Sequence, residues 1–403
     1  MGKMTGNEFL VKALQEEGVE KIFGYPGACV IDIFDEIYKQ DQVELILPRH
    51  EQGLIHAADG YARATGKVAN YDSVPLVCFT GQVATNLIGN DTFQEIDIVG
   101  VTRNIAKFVI VVRKREDLNR LIKEAFYIAR TGKPGPVLLD LPKDVMAELG
   151  SDEYPEKVNI RGYKPNTKPH HGQILRAMNM IYDAKRPLFL IGGGAKIAGA
   201  QEEMCKLMET LKVPVVTTIM GRGIVPTNHE LYYAANQAVN GCDLLISIGT
   251  RFNDRITGKL GTFASNAKII HIDIDTAAIS KNVTVDVPLV GDAKEAIALM
   301  LSIAENEEPC KVDEWLSRMN EWHEQKPLVM EEKEKLVPKQ VIDAINEYFD
   351  EPIVTTDVGQ NQMWTTQFLQ LYGRRQMLTS GGLGTMGYGL GAAIGAQIGD
   401  QKL

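Results

Sequence analysis

Apolar and polar positions follow two alternating patterns over roughly the first 150 residues. Residues 7–17 carry apolar side chains at helical spacing, which predicts an amphipathic helix, and a second helix is predicted at about 51–65. Residues 74–79 and 136–141 are apolar or β-branched, which is typical of buried parallel strands, and shorter strands are predicted at 21–24 and 43–47. The alternation predicts an α/β domain over residues 1–150.

The same alternation returns over residues 173–305. Five strands are predicted there, with helices between most of them, at 187–191, 213–217, 243–248, 268–274 and 288–290. Residues 152–172 contain three prolines and show no periodicity, so we expect a linker. The charged stretch 305–338, which includes the run 331–335, is predicted to be a second, solvated connector.

A third domain is predicted over residues 338–403. It offers one strand, at 353–356, followed by two helices, of which the second is rich in glycine. One strand and two helices cannot bury the core of a sheet. The sequence therefore predicts an α/β protein of three doubly wound parallel-sheet domains, with the third incomplete.

Charge and composition exclude several classes of partner and site. The formal net charge of −9 argues against nucleic acid as the main partner. No apolar run is long enough to cross a bilayer, and the first ten residues lack a signal-peptide pattern, so we expect a cytoplasmic protein without a membrane partner. Five scattered cysteines without a CxxC pair indicate reduced thiols. The pair His170-His171 is interpreted as part of a solvated linker, because adjacent residues do not share a face.

Two segments that follow predicted strands are candidates for ligand binding. Glu51 comes after strand 43–47, at the sheet edge where open α/β folds bind ligands. A glutamate also favours the start of a helix, so this residue alone leaves both interpretations open. Tyr25 lies in the turn Gly24-Tyr25-Pro26-Gly27, which is either a tight turn or a backbone cradle for a ligand.

The strands of the second domain are followed by glycines and charged residues. Three glycines after strand 187–191 give a weak phosphate signal that does not fit GxGxxG: Gly192, Gly193 and Gly194. Arg251 follows strand 243–248 and suits an anion. Asp273 is placed to accept a hydrogen bond from a ribose hydroxyl, and Asp292 is expected to cap the next helix.

One helix near the end of the chain carries a stripe of glycines. They recur every fourth residue and leave one helix face bare: Gly387, Gly391, Gly395 and Gly399. Such a face indicates the close approach of another backbone or of a cofactor. Residues 57–64 are also rich in small side chains, so close packing is expected there as well.

Longer blocks of the sequence are more specific. They are FGYPGA, LPRHEQGLIHAADGYARATG, PLVCFTGQVATNLIGNDTFQEIDIVGVTRN, EAFYIARTGKPGPVLLDLPKDV, ISIGTRFNDRITGKL, HIDID, VTTDVGQNQMW and TSGGLGTMGYGLGAAIGAQ. Together they resemble the catalytic subunit of acetolactate synthase (acetohydroxyacid synthase), a thiamine-diphosphate enzyme of branched-chain amino-acid synthesis. The resemblance covers essentially the whole chain. FQE, RFNDR and DVGQNQMW separate this family from related thiamine-diphosphate decarboxylases.

The resemblance implies a reaction and three cofactors. It implies decarboxylation of pyruvate and transfer of the two-carbon unit to pyruvate or 2-ketobutyrate, with thiamine diphosphate, Mg²⁺ and FAD bound. Residues 1–150 would bind the aminopyrimidine, 173–305 FAD, and 338–403 the diphosphate and metal. Glu51 matches the glutamate that bonds the aminopyrimidine ring and serves as its acid–base group. No metal ligand is assigned in this chain, because the metal motif of the family is not among its residues.

The resemblance also assigns binding residues by position. The residues on the substrate side would be Phe93, Gln94, Lys143 and Arg251, of which Arg251 would bind the carboxylate of the second 2-keto acid. Thiamine diphosphate would be held by Tyr25, Glu51, Val358, Gly359, Gln360, Asn361, Gly384 and Met386. FAD would be held by Lys133, Gly192, Gly193, Gly194, Arg251, Asp273 and Asp292.

Some positions depart from the family pattern. Ala28 replaces a usual glycine, and Lys133 replaces a usual arginine. Family segments are also missing after Val68, after Tyr233 and beyond Leu403. Either loops of a longer chain are absent from this sequence, which we favour, or the chain is a non-catalytic paralogue that binds FAD or a partner subunit. Another thiamine-diphosphate decarboxylase or carboligase is the alternative enzyme.

The expected partners follow from the same resemblance. We expect 2-keto acid substrates and a homodimer or tetramer, and a small regulatory subunit is a candidate partner. In the family, the cofactor lies between the first domain of one subunit and the third domain of the other. The small-residue faces at 57–64 and 387–399 are therefore expected to meet across a subunit interface.

Overall fold

The computed structural model describes residues 2–66, 75–233, 236–325 and 335–400, and the chain forms two compact units. The first unit contains Met1–Pro165 together with Gly387–Lys402, and the second contains Asn166–Met386. The charged run 331–334, the departure after Val68 and residues 234–235 lie outside the described residues.

The first unit has parallel strands covered by helices. Its elements up to residue 151 are β1 (Lys3–Thr5), α1 (Gly6–Glu16), β2 (Lys21–Phe23), α2 (Ile31–Tyr38), β3 (Glu44–Ile46), α3 (Glu51–Thr65), β4 (Val77–Gln82), α4 (Ile98–Thr102), β5 (Phe108–Val111), α5 (Arg115–Arg130), β6 (Val137–Pro142), α6 (Lys143–Ala147) and β7 (Leu149–Ser151). β2 pairs with β3 in parallel, β4, β6 and β5 form a second parallel sheet in that order, and β1 pairs with β7 antiparallel.

The core of the first unit lies between its sheets and helices α1 and α5. A capping box between Thr5 and Glu8 starts α1, which then buries Phe9 and Leu10 completely or nearly so. α5 buries an apolar face that includes Leu118 and Ile122. β6 is the central strand of its sheet, and every residue in it is buried.

The second unit is built around one larger parallel sheet. Its elements are α7 (His171–Asp183), β8 (Pro187–Ile191), α8 (Gly193–Ile197), α9 (Gln201–Leu211), β9 (Val215–Thr217), α10 (Asn236–Gly241), β10 (Leu244–Ile248), α11 (Asp254–Thr257), β11 (Lys268–Asp273), β12 (Val287–Val290), α12 (Ala293–Ala304), α13 (Asp313–Gln325), α14 (Pro338–Tyr348), β13 (Ile353–Thr355), α15 (Gln360–Phe368) and β14 (Gln376–Leu378). Five strands pair in parallel in the order β12-β11-β10-β8-β9.

That strand order fixes where a ligand can approach the larger sheet. Chain order reverses between β8 and β10, which are neighbours in the sheet although β9 lies between them in sequence. In open α/β sheets, ligands bind outside the carboxyl ends of the strands at such a switch point. Here that position is occupied by the turns that begin at Gly192 and Gly249.

A second strand follows β13, which corrects one prediction. β14 (Gln376–Leu378) pairs with β13 in parallel, so the expected lone strand at 353–356 has a partner. This small sheet is tied to the larger part of the same unit. Arg222 Nη2 donates to the carbonyl of Leu369 over 2.9 Å, and the Leu371 amide donates to Thr227 Oγ1 over 2.9 Å.

The glycine-rich helix α16 (Tyr388–Gly399) packs along α3 in the first unit. A Cβ atom at Gly395 would overlap the carbonyl oxygen of Ala57, and one at Gly60 would overlap that of Ala392. Tyr388 donates from its hydroxyl to Asp59 Oδ2 over 2.6 Å. The two small-residue faces therefore meet as expected, but within one chain, so they give no support to a subunit interface.

Most predicted elements are confirmed, but the predicted solvated connector 305–338 contains helix α13, which buries Trp315 and Met319 in the core of the second unit. α3 and β8 have the predicted bounds, and the other predicted strands of the second domain are found within two residues of their predicted ends. The α/β class with parallel sheets is confirmed, whereas the domain boundaries at 150, 173, 305 and 338 stay predictions. His170 and His171 are exposed, and no cluster of metal-binding side chains occurs among the described residues. No helix in those residues has the length and apolar character to cross a bilayer.

Candidate functional site

Tyr25 and Glu51 lie at the same edge of a sheet in the first unit, beyond the carboxyl ends of two strands. Tyr25 follows β2 and Glu51 follows β3, and these strands are parallel neighbours. His50 caps α3 by accepting a hydrogen bond from the Gln52 amide over 3.2 Å. Glu51 is the first residue of the helix, and 68% of its side chain is exposed. Because His50 makes the cap hydrogen bond, the Glu51 carboxylate remains accessible to a ligand.

Lys143 lies beside the turn that contains Tyr25. It follows β6 directly, and its Nζ donates to the carbonyl of Ala28 over 3.2 Å. The neighbouring Asp144 accepts hydrogen bonds from the amide and hydroxyl of Thr85, over 2.9 and 2.5 Å. Burial raises the pKa of Asp144, but the hydrogen bonds from Thr85 outweigh it and lower that pKa. The turn after β2, the loop after β4 and the start of α6 thus form one edge.

Phe93 and Gln94 lie on a well-anchored loop at this edge. Phe93 is 85% exposed, and Gln94 has a left-handed backbone with φ of 60°. The Glu95 carboxylate accepts hydrogen bonds from the amides of Gly89 and Thr92, which folds the loop back on itself. An exposed aromatic ring on a fixed loop is a suitable contact surface for a ligand.

The same loop is tied to the core through a buried carboxylate. Gln82 Nε2 donates to the carbonyl of Ile96 over 3.1 Å and to Asp140 Oδ2 over 2.9 Å. Asp140 is fully buried on β6 and also accepts from the Thr80 hydroxyl over 2.8 Å. Burial raises the pKa of Asp140. Sequence reasoning missed Gln82 and Asp140, because nothing in their local pattern shows that they meet.

Two loops of the second unit come together at the carboxyl ends of β13 and β14. The hydroxyls of Thr356 and Thr379 are 2.7 Å apart, and Gln362 Nε2 donates to Thr379 Oγ1 over 2.6 Å. A Cβ atom at Gly384 would lie 3.6 Å from Val358 Cγ1. The predicted thiamine-diphosphate residues of this unit are therefore neighbours or lie on adjoining loops: Val358, Gly359, Gln360, Asn361, Gly384 and Met386.

This pair of loops exposes a helix N-terminus. α15 begins at Gln360, and Gly359 before it has φ of 108°, a conformation that glycine adopts more readily than other residues. Gly359, Gln360 and Asn361 are exposed, and Met386 is 83% exposed. The amides at a helix N-terminus favour an anionic group such as a phosphate.

At the switch point of the larger sheet, the three predicted FAD glycines contact the protein itself. A Cβ atom at Gly192 would overlap the carbonyl oxygen of Gly249, and one at Gly194 would lie 2.8 Å from the Gly249 Cα. A Cβ atom at Gly193 would lie 2.9 Å from Met220 Cβ. Close packing alone can account for all three glycines, and their assignment to FAD stays a prediction.

The other predicted FAD residues are distributed over both units. Arg251 is half-buried after β10, and Asp273 at the end of β11 accepts from the Asp275 amide over 2.8 Å. Asp292 caps α12 by accepting from the Glu295 amide over 3.1 Å, which confirms the expected cap. Lys133 belongs to the first unit.

Comparison with known proteins identifies the family. Models of the thiamine pyrophosphate enzymes match residues 4–71 (N-terminal TPP binding domain), 174–300 (central domain) and 357–402 (C-terminal TPP binding domain). The probable acetolactate synthase large subunit of Methanocaldococcus jannaschii is 44% identical, over 98% of this chain and 73% of that protein. The chain belongs to the acetolactate synthase large-subunit family.

Bacterial members of the acetolactate synthase family are similar over the same extent. The large subunit from Haemophilus influenzae is 40% identical, over 99% of this chain and 76% of that protein. The isozyme 3 large subunit of Escherichia coli is 38% identical, also over 99% of this chain and 76% of that protein. The resemblance noted from the sequence blocks is thereby confirmed.

One buried histidine in this acetolactate synthase family member was not predicted. His271 lies on β11 with no exposed surface, and its Nε2 is 2.9 Å from the carbonyl oxygen of Thr250. Burial lowers the pKa of His271 to about 4. Asn282 Nδ2 donates to the carbonyl of Phe252 over 2.9 Å. Only the block HIDID hinted at His271, and periodicity assigns that block to a strand core.

Proposed function

We propose that the protein is the catalytic subunit of an acetolactate synthase. It decarboxylates pyruvate and transfers the two-carbon unit to a second 2-keto acid, either pyruvate or 2-ketobutyrate. The observation that carries this assignment is 44% identity over 98% of the chain to a large subunit of that family. The exposed Glu51 carboxylate at the carboxyl edge of β3 supplies the group that the reaction needs.

Thiamine diphosphate fits the residues at the sheet edge that carries Glu51 and those at the carboxyl ends of β13 and β14. Glu51 would bind a nitrogen of the aminopyrimidine ring, and the exposed N-terminus of α15 with Gly359 and Gly384 would bind the diphosphate. When bound, the cofactor would supply a carbon nucleophile for the keto carbon of pyruvate and an electron sink for the electron pair left by the loss of CO₂. Glu51 exchanges a proton with the ring nitrogen, which requires its carboxylate within hydrogen-bond reach.

The substrates would meet residues on exposed or half-buried surfaces. Phe93 offers an aromatic contact, and Lys143 offers a positive charge beside the Tyr25 turn. Arg251 binds the carboxylate of the acceptor 2-keto acid, because a guanidinium forms two parallel hydrogen bonds with a carboxylate. Gln94 supplies a further polar contact on the anchored loop.

FAD and Mg²⁺ belong to this proposal as further cofactors. Arg251 follows β10 at the switch point of the larger sheet, where an open α/β fold binds ligands, and Asp273 ends the adjacent strand β11; both would hold FAD. The resemblance also assigns Asp292, Lys133, Gly192, Gly193 and Gly194 to FAD; the three glycines pack closely against neighbouring protein atoms. Mg²⁺ would accompany the diphosphate; the described part of the chain holds no cluster of metal-binding side chains.

The assembly we propose is a cytoplasmic homodimer or tetramer that also binds a small regulatory subunit. The relatives are named large subunits, which indicates a smaller partner for those proteins. The aminopyrimidine-side and diphosphate-side residues lie in different units of the chain. This division is compatible with a site completed by a second copy.

Replacing Glu51 tests the proposed function. Glu51→Gln keeps the shape of the side chain but cannot exchange a proton, so turnover should fall by about two to four orders of magnitude. The melting temperature should stay unchanged, because the side chain is exposed and His50 provides the cap. Both are measured on the full-length protein, by acetolactate formation and by calorimetry.

Glu116→Gln is the matched control for that experiment. Glu116 is also acidic, also in the first turn of a helix, and 77% exposed. It should leave turnover unchanged. A Glu51→Gln enzyme with normal turnover would reject the mechanism, and acetaldehyde formed without acetolactate by the unchanged protein would point to a different thiamine-diphosphate enzyme.

A further inference from the structure

His271 makes one directed hydrogen bond from the core of the larger sheet. It pairs in register with Ser247 of β10, and its Nε2 lies 2.9 Å from the carbonyl oxygen of Thr250. A carbonyl oxygen can only accept, so Nε2 carries the proton and donates it. The ring thereby reaches from β11 to the turn that follows β10, one residue before Arg251.

The other ring nitrogen of His271, Nδ1, makes no stabilising contact within the described part of the chain. Nδ1 is buried and has no hydrogen-bond partner among the described residues. A buried polar atom without a partner costs stability, and an apolar side chain at this position would avoid that cost. What a histidine adds here is its Nε2 atom, which donates to the Thr250 carbonyl and also lies 3.8 Å from Asp273 Oδ2.

The turn is held on both sides of Arg251. On the other side, Asn282 Nδ2 donates to the Phe252 carbonyl over 2.9 Å. Phe252 adopts φ of 48°, which is unfavourable for a bulky side chain and persists only where its surroundings hold it. Its ring is buried and meets the His271 ring edge-on, with centroids 4.9 Å apart.

We propose that His271 is a positioning residue for Arg251, with Asn282 as a second support. By holding the Thr250 carbonyl, His271 fixes the peptide from which the guanidinium extends toward the carboxylate of the acceptor 2-keto acid. This inference rests on the proposed function, because it takes Arg251 as the residue that binds the acceptor. It gives His271 no contact with substrate or cofactor.

Four variants of the full-length enzyme test the proposal. His271→Leu removes the donor and keeps an apolar core, whereas His271→Gln places an amide Nε2 where the ring Nε2 was. Arg251→Ala removes the guanidinium but leaves both supporting hydrogen bonds. Trp315→Phe is the control, because it removes a buried side-chain donor to the Pro187 carbonyl, at the opposite end of the same sheet.

Two readouts separate positioning from general stability. The first is the ratio of acetaldehyde to acetolactate as the 2-keto acid concentration is varied, since weak acceptor binding lets the two-carbon unit escape. The second is hydrogen–deuterium exchange of the peptide 249–257, which reports order in the turn without any cofactor. Melting temperatures are recorded for every variant.

The expected pattern differs for each variant. His271→Leu should raise the KM for the acceptor on the order of tenfold at nearly unchanged kcat, raise the acetaldehyde share and speed exchange in the turn. His271→Gln should restore both readouts. Arg251→Ala should raise the acetaldehyde share with exchange unchanged, and Trp315→Phe should alter neither readout, whatever its melting temperature.

Two results would overturn the inference, and they can be told apart. If Arg251→Ala leaves the product ratio unchanged, the assignment of Arg251 to the acceptor fails and the inference fails with it. If Arg251→Ala shifts the ratio but His271→Leu leaves ratio and exchange as in the unchanged enzyme, the proposed function stands and the positioning role is rejected.

Discussion

The two glycine-rich regions of the molecule look alike in sequence but pack differently. The turn at Gly192–Gly194 lies against Gly249, so backbone meets backbone between two loops of one sheet. The stripe in α16 lies against α3, so backbone meets backbone between two helices whose residues are far apart in sequence. In both regions the missing side chains are replaced by protein.

The difference lies in what each contact organises. The contact of Gly192 with Gly249 fixes the shape of one sheet edge. Gly249 begins the turn that carries Arg251, so this contact also positions that turn. The α3–α16 contact joins two segments of the first unit and aligns the N-terminus of α16 with the end of α3 where Glu51 lies. A glycine cluster thus predicts close approach, and the partner must be found from the structure.

The largest effect is expected at the helix contact. Gly60→Ala should destabilise the first unit by about 3 kcal/mol, because the new methyl group meets the backbone of Ala392, which cannot move without shifting α16. Gly53→Ala in the same helix is the control, since its Cβ would have no neighbour within 4 Å. That control should be neutral or stabilise by up to about 1 kcal/mol. Equal melting temperatures for the two variants would show that α3 and α16 do not pack this way.

A somewhat smaller effect is expected at the sheet edge. Gly192→Ala should cost about 2 kcal/mol, because its methyl group overlaps the Gly249 carbonyl but a loop can yield more than a helix pair. Gly261→Ala is the control in the same unit, where a Cβ would meet nothing within 4 Å. Thermal melting measures both. If Gly192→Ala also melts like the unchanged protein, packing does not explain this glycine, and a ligand contact becomes the better interpretation.

The two units should differ in how their stability responds to mild acid. Burial lowers the pKa of His271 to about 4. Between pH 6.5 and 4, His271 is therefore protonated in the unfolded chain but neutral in the folded chain. The free energy of unfolding of the second unit should therefore fall by about 2 kcal/mol from pH 6.5 to 5. Most carboxylates stay ionised in this range, so they contribute little to the change. Asp140 in the first unit has a raised pKa, so protonation of its carboxyl favours the folded state as the pH falls further.

Hydrogen exchange across this pH range measures the effect for each unit separately. Peptides from β10 and β11 should exchange faster at pH 5 than expected from intrinsic rates, whereas peptides from β6 should not. His271→Leu should abolish the difference, because leucine has no proton to bind. A pH dependence that persists in His271→Leu would assign the acid sensitivity to another group.

Local patterns were sufficient for much of the fold. α3 begins and ends where the sequence indicates, because a strand and a turn precede it and Gly66 ends it in a left-handed conformation. β8 is an unbroken apolar run that ends at a glycine. β14 could not be found in this way, because its three residues Gln376–Leu378 show no alternation and depend on pairing with β13. The apolar face of α5 did carry a signal, which was missed.

The candidate site was predicted chiefly from the resemblance to a family. Position in the sheet alone left Glu51 undecided between catalysis and helix capping, and only the structure shows that His50 makes the cap. The link from Gln82 to Asp140 joins residues 58 apart, and that from His271 to Thr250 joins residues 21 apart. Such contacts depend on tertiary packing, which no local pattern contains.

The packing of α16 on α3 also has a consequence for synthesis. Tyr388 and Asp59, which share a buried hydrogen bond, are 329 residues apart. At about 5–20 residues per second, a ribosome needs roughly 15 to 65 s to make the intervening chain. Throughout that interval the small-residue face of α3 has no α16 to cover it. The first unit can therefore start to fold long before the contact that completes it is able to form.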